Sequence, residues 1–463
     1  MSERAVFLQG SLFRHITVMS LTSSVGLMAV FLVDFVDMVF ISMLGKAELA
    51  AAVGYAGAIL FFTSSFGIGM AISAGALVAR ALGSGDEALA QQRATNALIY
   101  GVVFGATFAF IVWLNLESLA RLMGASGATL DLAVSYLSII IPSLPLLLMG
   151  MVGGAILRAH GDAKRAMMAT VWGGLVNAVL DPILIFGLDL ELTGAAMASV
   201  AARVAIAVFG VLPIIRYYGG FRRPTMRGLA ADLPPVATIA APAILTQLAT
   251  PIGQAYVTRS MAEFGEAAVA GMAIVARMTP VAFGVLFALS GAVGPIIGQN
   301  FGAGQNDRVR GAFRDAMIFT ALVVVFVATV LFFLRGPIVT LFDAEGITKE
   351  LVFLFCGPLA LAFFFNGVIF VGNAAFNNLG HPFYSTWINW GRHTLGTIPF
   401  VMLGGYYFGA PGILIGQAVG GIIFAGITLL LVRKVLSTET PDEGPTDPFA
   451  RQARLFQLFH HRR

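Results

Sequence analysis

Twelve stretches of the chain each hold more than 20 predominantly apolar residues, and this repetition constrains the fold more than any other feature. They lie near residues 14–43, 51–79, 92–116, 130–157, 165–188, 194–217, 234–262, 267–299, 311–334, 350–377, 384–408 and 412–434. A helix needs about 20 apolar residues to cross roughly 30 Å of hydrocarbon. Inside that layer every backbone N–H and C=O must find its partner within the protein, so only helices and closed barrels can cross. A barrel would show alternating strands of about 10 residues, whereas runs such as Ala316 to Leu334 are apolar all round. The sequence therefore predicts an all-α integral membrane protein with twelve transmembrane helices. Composition agrees: 58% of residues are apolar and only 11% charged, too few charges to cover a water-soluble surface. A soluble enzyme, a nucleic-acid binder and a disordered chain are excluded. The single cysteine, Cys356, excludes an internal disulfide and a cysteine metal cluster. The first stretch is too long for a cleaved signal peptide, and it carries Asp34 and Asp37.

The charges outside the spans mark orientation. With the amino terminus inside, 20 of the 28 Lys and Arg fall on the cytoplasmic side, 5 fall outside, and Arg203, Arg277 and Arg392 lie within spans. By the positive-inside rule both termini are expected in the cytoplasm, and the expected location is the bacterial inner membrane. The longest polar break, Gly219 to Asp232, reads as a cytoplasmic linker. The expected organisation is an amino-terminal six-helix lobe (1–218), a linker (219–233), a carboxy-terminal six-helix lobe (234–434) and a cytoplasmic tail (435–463). The end of that tail, FARQARLFQLFHHRR, mixes Phe449, Leu455, Phe456 and Phe459 with bases, as either a frayed end or an interfacial helix would.

The halves resemble each other in a nearly constant register. Ala79 to Gln91 aligns with Gly298 to Arg310, placing Gly83 on Gly302 and Gly85 on Gly304. In the same register Gly153 to Asp162 aligns with Gly372 to His381, placing Gly161 on Gly380. Asp181 to Gly187 aligns with Ile398 to Gly404 in a register only slightly shifted. Repeats of six spans run parallel, related by an axis along the membrane normal. The expectation is two pseudo-symmetric six-helix bundles around a central cavity.

Polar groups at depth are costly and mark function by default. Three of the 24 acids lie within spans: Asp34, Asp37 and Asp181, all in the first half. Counted from the turn glycines Gly45, Gly187 and Gly194, Asp37, Asp181 and Ser199 each sit roughly 8–12 Å below the outer turns. Asn177 shares a helix face with Asp181, and Asp34 lies one turn deeper than Asp37. Pro182 has no N–H, which frees the carbonyl of Ala178. Two or three carboxyls, an amide and a hydroxyl are hard oxygen donors, suited to a proton or a small cation such as Na+ at Asp37, Asn177, Asp181 and Ser199. The alternatives are that Asp34 serves a polar helix contact and that Ser199 bonds its own backbone. Arg203 could pair with an acid of this half, or could bind a helix end.

Val36 to Gly54, Asn177 to Pro182, Thr193 to Val200 and the paired Gly-rich loops together resemble the multidrug and toxic compound extrusion (MATE) family, from about residue 12 to 434. The resemblance implies two six-helix lobes and export of amphipathic, often cationic compounds driven by inward H+ or Na+. It implies that Asp37 is the helix 1 acid and that Asn177, Asp181 and Ser199 form the cation site. Two departures stand out. The counterparts of acids found in the second lobe of some relatives are Thr250 and Asn366, and no proline precedes Pro142 to bend the first helix, leaving Gly26 as a flex point. The expected activity is that of a monomeric cation-coupled antiporter acting on small amphipathic molecules, without cofactor or nucleic-acid partner. The alternatives are a flippase for lipid-linked or natural-product substrates and, more remotely, a membrane enzyme.

Overall fold

The computed structural model describes residues 5–438, apart from the side chains of Ser42, Ala47 and Thr438. The tail segment rich in Phe and bases lies outside the described residues. Among the described residues there are helices and turns but no strand. Ten of these helices are each long and apolar enough to cross a bilayer: α1 (Leu12–Ile41), α2 (Glu48–Gly83), α3 (Glu87–Leu114), α4 (Gly127–Ala159), α5 (Ala163–Gly187), α6 (Glu191–Tyr217), α7 (Met226–Ala262), α8 (Glu266–Gly302), α9 (Asn306–Leu341) and α10 (Gly346–Asn378). A further apolar segment, Pro382–Ser437, runs 56 residues. As one helix it would extend about 84 Å, far beyond a bilayer. It breaks at Gly409, where φ is 64° and ψ is −148°, a conformation open almost only to glycine. The break divides the segment into α11 (382–408, interrupted by a turn at 394–397) and α12 (410–438), and so gives the twelve crossings that the sequence predicts.

Two boundaries differ from the sequence expectation. α7 starts at Met226, inside the expected linker. Its first turns are held in place: Leu229 O accepts from the Tyr100 hydroxyl, and Asp232 accepts from Asn96 at 2.6 Å and Gln92 at 3.2 Å. The compact units also cut across the sequence halves. One holds Val25–Ile244; the other holds Phe7–Ser24 together with the chain from Leu245 onward. In the second unit Gln299 Oε1 accepts from Phe7 N at 2.9 Å, and Arg308 donates to Phe7 O at 2.9 Å. α1 and α7 are therefore each shared between units, a parallel that follows from the duplication.

The turns record the same duplication. Gly85 and Gly304 have φ of 80° and 70°, and Gly161 and Gly380 have φ of 82° and 84°. The aligned glycines thus share a left-handed turn that a side chain would strain. Asp86 and Asp162 then cap the helices that follow, accepting from Leu89 N at 2.8 Å and Arg165 N at 3.0 Å. Burial pushes the Asp162 carboxyl up, but hydrogen bonds from Arg165 and Tyr218 outweigh it and hold the group below its ordinary value.

Within each unit, small residues set how closely helices approach. In the first, a Cβ on Gly153 would fall 2.7 Å from Gly210 O, so α4 and α6 meet backbone to backbone. A core of Leu137, Ile140, Ile141, Leu144 and Leu148 fills the space beside them. In the second, Gly412, Gly416 and Gly420 lie on one face of α12, against Gly404, Phe400 and Gly396 of α11. A Cβ on Gly416 would sit 2.2 Å from Phe400 O. Backbone cannot yield as a side chain can, so Gly416→Leu is expected to cost more than about 3 kcal/mol. At Gly426 a Cβ would meet nothing within 4 Å. This position should accept alanine and gain up to about 1 kcal/mol in helix propensity. Thermal unfolding of the purified variants checks both. Equal melting temperatures would refute the close-packing assignment.

Candidate functional site

The site forms where α1 and α5 run side by side. A Cβ on Gly26 would lie 2.5 Å from Thr170 Oγ1, and one on Gly174 would lie 2.9 Å from Val33 Cγ2. These two glycines let the helices close up, and the next step along both brings Asp37 to Asn177. Phe40 and Phe186 continue the contact with ring centroids 5.9 Å apart. Gly26, a flex point by sequence, lies in unbroken helix, and its lack of a side chain admits α5.

Asn177 Nδ2 donates to Asp37 Oδ1 at 3.0 Å and to Asp181 Oδ2 at 2.6 Å. Carboxylates only accept, so the amide must turn its NH₂ toward them. The two carboxyls thus share one amide donor. Asp181 is fully buried and Asn177 is 4% exposed, while Asp37 is half-buried. Asp181 Oδ1 is buried with no donor in reach among the described residues. Buried acceptors without partners are rare and costly. Pro182 follows directly. It offers no N–H to Ala178, and the helix widens into a π-type turn over Ile183–Gly187.

The remaining sequence candidates take different places. Ser199 lies beside Tyr136, which is itself in electrostatic reach of Asp37 and Asp181. Ser199 thus lies at the rim of the pair. Asp34 is exposed on α1, one turn away, and forms no hydrogen bond or ion pair among the described residues. Arg203 pairs with no acid among them. Its Nη1 donates to Ile140 O and Ser143 Oγ, both at 3.0 Å. The physical reason is local: a 3-10 turn at Ile141–Ser143 interrupts α4 and leaves a carbonyl for it to bind. Tyr136 is the member that sequence reasoning missed. A buried tyrosine in an apolar span looks like core, and only packing places its hydroxyl beside Ser199. No group of three or more His, Cys, Asp or Glu that could hold a metal ion occurs among the described residues.

Helical crossings in a duplicated frame, with two intramembrane carboxyls and an amide between them, define a class: a secondary transporter built from parallel repeats. The MatE family profile matches residues 23–183 and again 242–403, and its two starting points stand in the same register as the aligned turn glycines. The chain belongs to the MATE family of membrane transporters. It is 29% identical over 444 residues to the FAD transporter of Shewanella oneidensis, covering 94% of this chain and 97% of that one. It is 22% identical over 440 residues to the multidrug export protein MepA of Staphylococcus haemolyticus, covering 95% and 97%. A mutant of the Vibrio cholerae MATE transporter VcmN superposes with a TM-score of 0.87 at 25% identity, covering 93% of this chain and 98% of that one.

Two hydrogen bonds through one amide imply coupling between Asn177 and Asp181. In a double-mutant cycle of Asn177→Leu and Asp181→Leu, thermal unfolding should reveal an interaction of about 1–3 kcal/mol. The single Asn177→Leu change should be the more damaging one, because it strands a buried carboxyl. Additive losses would show that the contact carries no energy.

Proposed function

We propose that this protein is a cation-coupled antiporter that exports small amphipathic, often cationic organic compounds across the bacterial inner membrane. Each chain is its own transport unit, with both termini in the cytoplasm. The observation that carries the reading is the Asn177 bridge between Asp37 and the fully buried Asp181. Two carboxyls gathered around one amide repel each other when both are charged, and a proton on either removes that repulsion. Asn177 turns its NH₂ rather than its carbonyl to the pair, which favours H+ as the coupling ion. A bound Na+ would need the amide to turn over.

The pair sits on two different helices, so its charge state bears on how α1 lies against α5. With a proton, the carboxyls and the amide bond one another and the helices stay together. Without it, two carboxylates face each other at low dielectric and repel. A conformational equilibrium biased in this way couples ion and substrate with no shared binding site, because each ligand shifts the same two states. The multidrug exporter names among the relatives support the substrate class. A second reading has its own support: the relative named FAD transporter aligns with 94% of this chain. On that reading the cargo is a flavin nucleotide.

Transport in inverted vesicles tests the coupling. A pH gradient is expected to drive efflux of a cationic dye, and Asp37→Asn or Asp181→Asn should lower that flux at least tenfold. Efflux that follows a Na+ gradient at constant pH would sink proton coupling. Unchanged flux in both variants would sink the site. Orientation is checked separately: reporters active only in the cytoplasm should work at either terminus, and an inactive carboxy-terminal fusion would reverse the topology.

A further inference from the structure

The second unit also carries charge at depth, of the opposite sign. Arg392 and His393 end the helical segment Pro382–His393. At 1.5 Å per residue they lie about 18 Å from the turn at Gly380, near the middle of a bilayer. Arg392 Nη2 donates to Asn366 Oδ1. Its other nitrogens make no hydrogen bond among the described residues, and no acid there pairs with it. His393 is 5% exposed, and its Nδ1 has no partner among the described residues. The ring occupies space that Gly253 leaves open: a Cβ there would lie 2.3 Å from Nδ1.

The location is not arbitrary. The shift along the chain that carries Asp37 onto Gly253 also carries Asn177 onto His393. It nearly equals the shift that carries Gly85 onto Gly304. Both contacts join the first helix of a repeat to its fifth, Asp37 to Asn177 in one and Gly253 to His393 in the other. Between these helices the second repeat carries an imidazole and a guanidinium, and the first carries carboxyls and an amide. A cation held out of water without an anion is costly. The Arg392 side chain is partly exposed.

We infer that Arg392 and His393 form an anion subsite for the phosphate of an aromatic, phosphorylated substrate. The inference rests on the second reading above, a nucleotide cargo, and gives its phosphate a place. A guanidinium with free donors matches phosphate oxygens two at a time. The aromatic part also has a counterpart. Asn366 shares one face of α10 with Phe363 and Phe370. Phe363 stacks on Phe283 with centroids 3.9 Å apart, and Phe370 lies 5.2 Å from Phe287. Phe287 is 36% exposed. A planar ring lying on these faces would bring its phosphate toward Arg392.

Riboflavin and its 5′-phosphate share one ring and differ in the phosphate, which makes them matched probes. Equilibrium binding to the full chain in nanodiscs is read from flavin fluorescence. The wild-type protein should bind the phosphate at least tenfold more tightly than riboflavin. Arg392→Gln should abolish that preference, and Arg392→Lys should retain part of it. Should Arg392→Gln fail to fold, His393→Asn is expected to reduce the preference at least threefold. Equal binding of the two probes by wild type, or binding of neither, overturns the subsite. So does a preference that survives Arg392→Gln. If the preference vanishes when phosphatidylglycerol is added to phosphatidylcholine nanodiscs, the site belongs to a lipid phosphate and the substrate assignment falls. No ion gradient enters this measurement. A failure of coupling through Asp37 and Asp181 would therefore leave its result standing, and the two failures are distinguishable.

Discussion

Hydrocarbon offers no hydrogen bonds, and nearly everything in this structure answers that fact. The backbone pairs with itself in helices, so the chain crosses twelve times without a strand among the described residues. Side chains answer it in the same way. Thr17, Thr63, Thr238, Thr320 and Thr428 each return their hydroxyl to a carbonyl three or four residues earlier. A polar group that does not do so needs a partner on another helix. Asp37, Asn177 and Asp181 meet for this reason, and the glycines of α1 and α5 are what make the meeting possible.

Duplication gave two copies of one frame, and the copies kept their turns while changing their chemistry. Gly161 and Gly380 still share nearly the same left-handed φ, 82° and 84°. The polar contact between the first and fifth helices of each repeat has diverged from acid and amide to glycine and histidine. Close packing explains how the frame survived this. Glycine contacts such as Gly153 on Gly210, or Gly416 on Phe400, fix helix positions through backbone atoms and place few demands on side chains elsewhere. Other side chains were thereby free to vary, and the charge at depth could change sign between units.

Much of the architecture is legible in the sequence because its signals are local. Apolar length gives spans, and glycine pairs in a constant register give the repeat. Asp37, Asn177 and Asp181 are readable because an ionisable group in an apolar run has few innocent explanations. Tyr136 is not readable, since a tyrosine among Leu and Ile looks like packing until its hydroxyl is seen beside Ser199. Arg203 is hard to place for a related reason. The sequence shows an arginine and nearby acids, but not the interrupted helix whose carbonyl at Ile140 it binds. The first turns of α7 read as linker because Arg222, Arg223 and Pro224 dominate the segment, whereas long-range bonds from Asn96 and Tyr100 hold those turns.

The sequence by itself determined the solvent this protein folds in, the number of crossings, the internal repeat and which acids lie at depth. Each depends on composition within a single span or on self-similarity, and a linear string carries both. Only the tertiary structure decided which polar groups meet, which segments of α1 and α7 belong to which unit, and that Gly253 makes room for His393. Those outcomes depend on the approach of helices far apart in sequence, as α1 and α5 are. That approach is set by small residues at a few crossing points, and a string of residues does not say which helix stands opposite them.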